Sequence, residues 1–319
     1  MRRVVVSVDG LGAENHSRIE AAAAAGGASV TFLPEGSPEV APSLAHAEVF
    51  FGLAPPALLA SSPVVFVQLH SSGYDPYRMP ALIERPNFTL TNARGVTAQA
   101  VAEHALAMMF AFARQLPFHI RNQQARIWQR ASSYQLLQGS TVAILGLGAI
   151  GSALGRMLYS LGATVLAVQR SSVPPQFAAA ALPLERLHDA LARSQHVVIC
   201  LPNIERDRPL VAAAELAAMP RGSFLYNVSR AALLDYAALE AALTSGHLGG
   251  AGLDVFPEEP LPPTSPLWQM PNLIVTPHAG GRFAAEMNAL TSLFVDNLTR
   301  YLSGRPLRNV VIGGTVRGN

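Results

Sequence analysis

Residues 141–168 read TVAILGLGAIGSALGRMLYSLGATVLAV. An apolar strand (141–145) runs into Gly146-Leu147-Gly148-Ala149-Ile150-Gly151. A helix rich in Ala and Leu follows, Gly162 stands at its C-terminal cap, and a second apolar strand closes the stretch. Each glycine has its own task. Gly146 permits a tight turn, Gly148 lets backbone approach a pyrophosphate, and Gly151 allows close packing of helix on strand. The phosphates would meet the positive end of the helix and its free N–H groups. G-x-G-x-x-G alone says little. Set between two strands and a helix in this order, it predicts a dinucleotide site on Gly146, Gly148, Ala149, Ile150 and Gly151.

This unit sits mid-chain. Before it, strands are expected at 4–8, 29–33, 48–52, 64–69 and 88–91, with helices at 14–25 and 55–60. Such alternation argues for a parallel sheet covered by helices. A helix over 98–116, rich in Ala, Leu and Met, is read as the crossing into a second domain. There, apolar strands are expected at 197–201, 224–227, 251–255 and 273–276. A helix at 284–303 then carries the chain back. The nucleotide domain (99–286) is thus expected to be inserted into a substrate domain made of 1–98 and 287–319.

Composition narrows the chemistry. The chain has 319 residues, half of them hydrophobic, enough for two cores. No lysine occurs, all 23 basic residues being arginine, which excludes Schiff-base and phosphate-loop lysine chemistry. A net charge of +2 without a dense basic block argues against nucleic-acid binding. Cys200 is the only cysteine, so no disulfide forms within the chain and a thiolate metal site is not expected. The apolar run after Arg3 is too short for a signal segment. The most apolar helical stretch, 101–113, is too short for a bilayer and carries Glu103 and His104. A cytoplasmic protein without membrane contact is the expectation.

Ligands in open α/β sheets bind beyond the carboxyl ends of strands. Three such ends here carry reactive groups: Asn227-Val228-Ser229-Arg230, Asp254 through Glu258-Glu259-Pro260, and Thr276-Pro277-His278-Ala279-Gly280-Gly281. A guanidinium, a carboxylate and an imidazole suit carbonyl reduction. The arginine can clamp a substrate carboxylate, the histidine can protonate the nascent alkoxide, and the carboxylate can hold the charged imidazole.

Several ordered motifs now converge. They are Thr91-Asn92-Ala93-Arg94-Gly95-Val96, Ala102-Glu103-His104, Gly146–Gly151, Asn227–Asp235, Gly250 through Phe256 and on to Pro262, Pro266-Leu267-Trp268, and Pro271-Asn272 through His278. Over nearly its whole length the chain resembles the D-isomer-specific 2-hydroxyacid dehydrogenases, in particular glyoxylate/hydroxypyruvate reductases. The resemblance implies an α/β fold of two doubly wound parallel-sheet domains, a Rossmann nucleotide-binding domain inserted into a flavodoxin-like substrate domain. It implies Arg230 as substrate-orienting cation, His278 as acid/base and Glu259, rather than Glu258, as its partner. It further implies that Ser72, Gly73 and Tyr74 receive the substrate carboxylate, with Leu53, Tyr74, Arg282 and Phe283 as candidates for the side-chain pocket. Pro202, Val228, Asp254 and Gly280 are expected beside the cofactor. The region of Trp128 implies a homodimer. Ser229 and Ala231 stand where the family often has glycine.

Eighteen residues past Gly151, where an acid would bind the ribose 2′-hydroxyl of NAD, stands Gln169, followed by Arg170, Ser171 and Ser172. No anion repels a 2′-phosphate there, and a guanidinium can bind one. NADP(H) is therefore expected over NAD(H), with a small 2-oxo or 2-hydroxy acid as substrate. Two alternatives stand beside this: a D-3-phosphoglycerate dehydrogenase, and a dinucleotide-sensing corepressor on the same fold.

Overall fold

The computed structural model describes residues 1–202 and 207–313. In chain order its strands are β1 (Arg2–Ser7), β2 (Ala28–Leu33), β3 (Val49–Gly52), β4 (Phe66–Gln68), β5 (Thr89–Thr91), β6 (Thr141–Leu145), β7 (Thr164–Val168), β8 (Ala180–Leu182), β9 (His196–Ile199), β10 (Ser223–Asn227), β11 (Leu248–Leu253), β12 (Leu273–Val275) and β13 (Val310–Ile312). They form two compact units. One is Met1–Thr97 with the chain from Phe283 on; the other is Ala98–Arg282. The second is therefore an insertion in the first.

The first unit's sheet runs β2-β1-β3-β4-β5-β13, parallel except where β13 meets β5 antiparallel. Its five parallel strands follow the flavodoxin-like order. Alternation along a strand sends side chains to both faces. Val4 and Val6 of β1 join Phe51, Ile19 and Phe294 on one side, while Val5 joins Phe50, Leu59 and Leu90 on the other. In β1 and β3 both faces are buried from Val4 and Val49 on, which explains their apolar runs, while the edge strand β2 is largely half-exposed.

The second unit's sheet is parallel throughout, in the order β8-β7-β6-β9-β10-β11-β12. This is the Rossmann order with one strand added at the β12 edge. Ala143 and Leu145 of β6 point into one core, Val142 and Ile144 into the other. The strand order reverses between β6 and β9, the kind of switch point beside which such sheets bind ligands, and the glycine turn follows β6 there.

The expected single helix over 98–116 is two: Ala98–Ala113 and Leu116–Gln124. Gln115 between them adopts a left-handed conformation at φ 58°. Pro117 explains the break, since it has no N–H to give the preceding turn and its ring collides with the carbonyl four residues back. Strands β8 and β13 had no counterpart in the sequence reading. Among the described residues no helix is long and apolar enough to cross a membrane.

Candidate active site

In the glycine turn each glycine permits a distinct approach. Gly146 has φ +99°, and a Cβ there would meet Leu201 at 2.8 Å. A Cβ on Gly151 would lie 2.1 Å from the Gly146 carbonyl oxygen, so the helix can sit this close to the turn only without a side chain. A Cβ on Gly148 would meet nothing within 4 Å. Open space thus lies over the residue preceding helix Ala149–Ser160, whose first turn has no side-chain cap. Its N–H groups face outward where an anion would rest. The chain accordingly fits a pyrophosphate at Gly148, Ala149 and Ile150.

Gln169 and Arg170 follow β7. The Gln169 side-chain amide donates to the carbonyls of Ser171 and Val173 at 3.1 and 3.0 Å, folding 169–173 into a closed turn. The position of a ribose-binding acid is thus filled by a neutral group already committed to its own loop. Pro202 lies just beyond β9 and Val228 just beyond β10, at the same carboxyl edge of the sheet.

Arg230, Glu259 and His278 come from three separate strand ends of this unit and line one cavity of about 320 Å³, with Ala231, Ala232, Val255, Phe256 and Pro257. His278 Nδ1 lies 2.8 Å from Glu259 Oε2. The other carboxylate oxygen accepts the Phe256 N–H at 2.9 Å, which fixes the orientation of the carboxylate. His278 has φ 52°, a left-handed conformation that residues with a side chain seldom adopt. About half of its side chain is exposed. The loop carrying Arg230 is pinned by Asn227, whose Nδ2 donates to the Arg230 carbonyl while its Oδ1 accepts the Ser229 N–H. Ser229 and Ala231 do not disturb this turn, and Arg230 takes ordinary extended angles. Tyr236 donates to the Val255 carbonyl. Burial, and then the charge of Glu259, hold its hydroxyl above the usual phenol range against a lowering contact from Asn227.

Asp254 is buried and bears no face to the cavity lining. Its Oδ1 accepts from Thr276 Oγ1 at 2.6 Å and from the Ala279 N–H, and its Oδ2 accepts from the Gly280 N–H. His104 Nε2 reaches Thr276 Oγ1 at 2.9 Å. In the sequence His104 stands out only as part of Ala102-Glu103-His104 on an apolar helical stretch. Its neighbour Glu103 and the motif around it give no hint of a contact with a loop more than 170 positions away.

Of the remaining expected residues, Arg282 ends the second unit, while Phe283, Leu53, Ser72, Gly73 and Tyr74 belong to the first. Leu53 follows β3, and Ser72, Gly73 and Tyr74 follow β4. Ser72 donates to the Ala93 carbonyl, Asn92 donates to the Ser72 carbonyl, and Ser71 bridges to Gly73, so the turn is held on three sides. Leu53 and Tyr74 pack on the core that also holds Leu59 and Leu90.

Comparison with known proteins agrees with this architecture. Residues 106–280 match the family model described as D-isomer specific 2-hydroxyacid dehydrogenase, NAD binding domain. The chain is 33% identical over 264 residues to glyoxylate/hydroxypyruvate reductase B of Pectobacterium carotovorum, covering 80% of this chain and 79% of that one. It is also 33% identical over 229 residues to D-3-phosphoglycerate dehydrogenase of Mycobacterium bovis, a match that takes in 71% of this chain but only 43% of that relative's length. Among solved structures, a D-isomer specific 2-hydroxyacid dehydrogenase from Xanthobacter autotrophicus, in complex with NADPH and MES, is 31% identical with a TM-score of 0.78, covering 97% of both chains. With its two doubly wound sheets and its mid-chain glycine turn, the chain belongs to the D-isomer-specific 2-hydroxyacid dehydrogenase family.

Proposed function

We propose that the protein is an NADPH-dependent reductase of small 2-oxo acids, acting on glyoxylate or hydroxypyruvate and forming the D-2-hydroxy acid. The observation that carries this reading is the single cavity lined by Arg230, Glu259 and His278. When bound, the reduced dinucleotide supplies the hydride that the substrate C2 receives. His278 gives its proton to the carbonyl oxygen. Glu259, fixed by the Phe256 N–H, keeps the imidazole oriented and balances its charge as the proton leaves. Arg230 holds the substrate carboxylate and carbonyl oxygen in one plane. In the first unit, the turn Ser72, Gly73 and Tyr74 and the residue Leu53 are the proposed substrate-binding residues.

The glycine turn would hold the pyrophosphate, Pro202, Val228, Asp254 and Gly280 would flank the nicotinamide half, and Gln169, Arg170 and Ser171 would receive the adenosine ribose. Replacement of the acid by Gln169, with Arg170 next to it, supports NADP(H). The NADPH held by the Xanthobacter structure is in keeping with that. The name of the Pectobacterium relative supports the substrate class.

A second reading, oxidation of a phosphorylated 2-hydroxy acid, draws on the name of the mycobacterial relative. A panel of glyoxylate, hydroxypyruvate, pyruvate, phenylpyruvate and 3-phosphohydroxypyruvate with NADPH and with NADH separates the two. Highest kcat/KM for glyoxylate or hydroxypyruvate with NADPH is expected. A preference for the phosphorylated acid moves the assignment to the second reading, and dinucleotide binding without any turnover points to a sensing role.

The homodimer rests on surface chemistry. Leu116, Ile120, Ile127, Trp128 and Leu136 expose large apolar side chains within one short stretch, Trp128 completely. Large apolar side chains exposed this close together along the chain support an interaction surface. Light scattering at micromolar concentration is expected to give twice the chain mass of 33.8 kDa.

A further inference from the structure

We infer that His104 is a positioning residue for His278, acting through a chain of hydrogen bonds that crosses from helix Ala98–Ala113 to the loop after β12; the kinetic part of this inference rests on the function proposed above. The chain follows from counting protons. Asp254 Oδ1 lies 2.6 Å from Thr276 Oγ1, and a carboxylate only accepts. The single hydroxyl proton of Thr276 therefore points at Asp254 rather than at the Leu253 carbonyl, which is 3.4 Å away. With that proton committed, Thr276 Oγ1 can only accept from His104 Nε2 at 2.9 Å. The imidazole thus carries a proton on Nε2, whatever the state of its other nitrogen.

Beyond Asp254 the chain ends on backbone. Its two oxygens hold the N–H groups of Ala279 and Gly280, the two residues after His278. The same ring of His104 also packs at Gly280, where an added Cβ would lie 3.2 Å from its Cδ2. His278 keeps a left-handed backbone at φ 52°, a conformation that persists only where neighbours enforce it. His104 supplies the far end of that enforcement. It sets the Thr276 hydroxyl, the hydroxyl helps to fix the Asp254 carboxylate, and the carboxylate clamps the chain on which His278 stands.

The test separates donor from bulk. H104F keeps a ring against Gly280 but has no N–H. H104Q puts an amide nitrogen close to the position of Nε2. For H104F we expect kcat to fall about tenfold, the scale of a small misplacement of a catalytic group, with KM for NADPH little changed. H104Q should recover most of that loss. Hydrogen exchange at the Ala279 and Gly280 amides reads the clamp without turnover. It should quicken in H104F and stay near wild type in H104Q. T276V removes the middle link, leaving His104 Nε2 only its 3.6 Å approach to Asp254 Oδ1, and should match H104F. The double variant should be no slower than the worse single one, because both remove the same path. If H104F fails to fold, T276V and H104Q carry the comparison. Wild-type kcat and exchange in H104F or in T276V, or a loss in H104Q equal to that in H104F, would overturn the inference. If the wild type turns over no 2-oxo acid, the proposed reaction fails, while the exchange measurements still decide the clamp.

Discussion

The two ends of the seven-stranded sheet each hold a histidine, and they treat it in opposite ways. At the carboxyl end His278 is half exposed, bonded to Glu259 and set in a strained backbone conformation. At the amino end His196, the first residue of β9, is buried. It lies alongside Phe224 and Tyr226, with Nδ1 3.1 Å from the Tyr226 hydroxyl. Among the described residues its Nε2 has no hydrogen-bond partner. The proposed function has one imidazole give up a proton, while burial keeps the other from taking one. A parallel sheet makes this division natural, since loops diverge beyond the carboxyl ends and leave a crevice, while the amino ends close against helices. Changes at the carboxyl end should therefore alter turnover with little effect on folding. Changes at the amino end should alter folding with little effect on turnover.

The largest expected effect tests the first half of that division. H278A removes the proton donor from a partly exposed position. Under the proposed function kcat should fall by about 10³-fold, within the range for loss of a general acid, while the midpoint of thermal unfolding stays within about 2 °C of wild type. E259Q keeps the shape and loses the charge, and should cost less, on the order of 10²-fold. If H278A unfolds the protein, or barely slows it, the carboxyl end is not the place of chemistry.

The amino end gives the next largest effect, and it depends on pH. Burial lowers the pKa of His196 from 6.5 to about 4. Between these values the unfolded chain binds a proton that the folded one refuses. Stability is therefore fully present above about pH 6.5 and declines as pH falls toward 4. One such group contributes about 2 kcal/mol of loss by pH 5. Urea unfolding at pH 7.5 and pH 5 measures it. In H196F this part of the slope should vanish, although the variant also gives up the bond to Tyr226. An unchanged difference between the two pH values in H196F would assign the acid sensitivity elsewhere. Turnover at pH 7.5 should hardly move, because His196 lies at the other end of the strands from His278.

Much of this was legible in the sequence because its causes are local. The strands Val4–Val6, Phe50–Phe51 and Val197–Ile199 announce themselves as apolar, mostly β-branched or aromatic runs. The glycine spacing of 146, 148 and 151 states a backbone requirement that the structure meets atom for atom. Strand β8 was not legible, because Ala180-Ala181-Leu182 carries no strand preference and pairs only since β7 offers an edge. The helix expected over 98–116 runs through Gln115, although Pro117 signals a break there. Choosing Glu259 over Glu258 needed the family pattern, and the 2.8 Å contact to His278 is a distance that no spacing encodes. The chain from His104 to Asp254 lay further out of reach. Its members stand at 104, 254 and 276, and only the packing of helix Ala98–Ala113 on the sheet brings them together.

The smallest expected effect sharpens the comparison within the carboxyl end itself. Arg170 stands beyond β7, away from the cavity lined by Arg230, Glu259 and His278, in a turn closed by the Gln169 amide. If its guanidinium meets the 2′-phosphate, R170A should raise KM for NADPH about tenfold, on the scale of one lost charge-assisted contact. KM for NADH should stay within about twofold, and kcat should be preserved with either. Because Gln169 rather than Arg170 holds the turn, the fold should not register the change. A Q169D variant asks the converse question. An acid at that position both repels a 2′-phosphate and accepts from a 2′-hydroxyl, so the ratio of kcat/KM for NADPH over NADH should fall further than in R170A. Equal losses for both dinucleotides in R170A would mean that this edge of the sheet contributes general affinity and no discrimination. The preference for NADP(H) would then have to be sought at other residues.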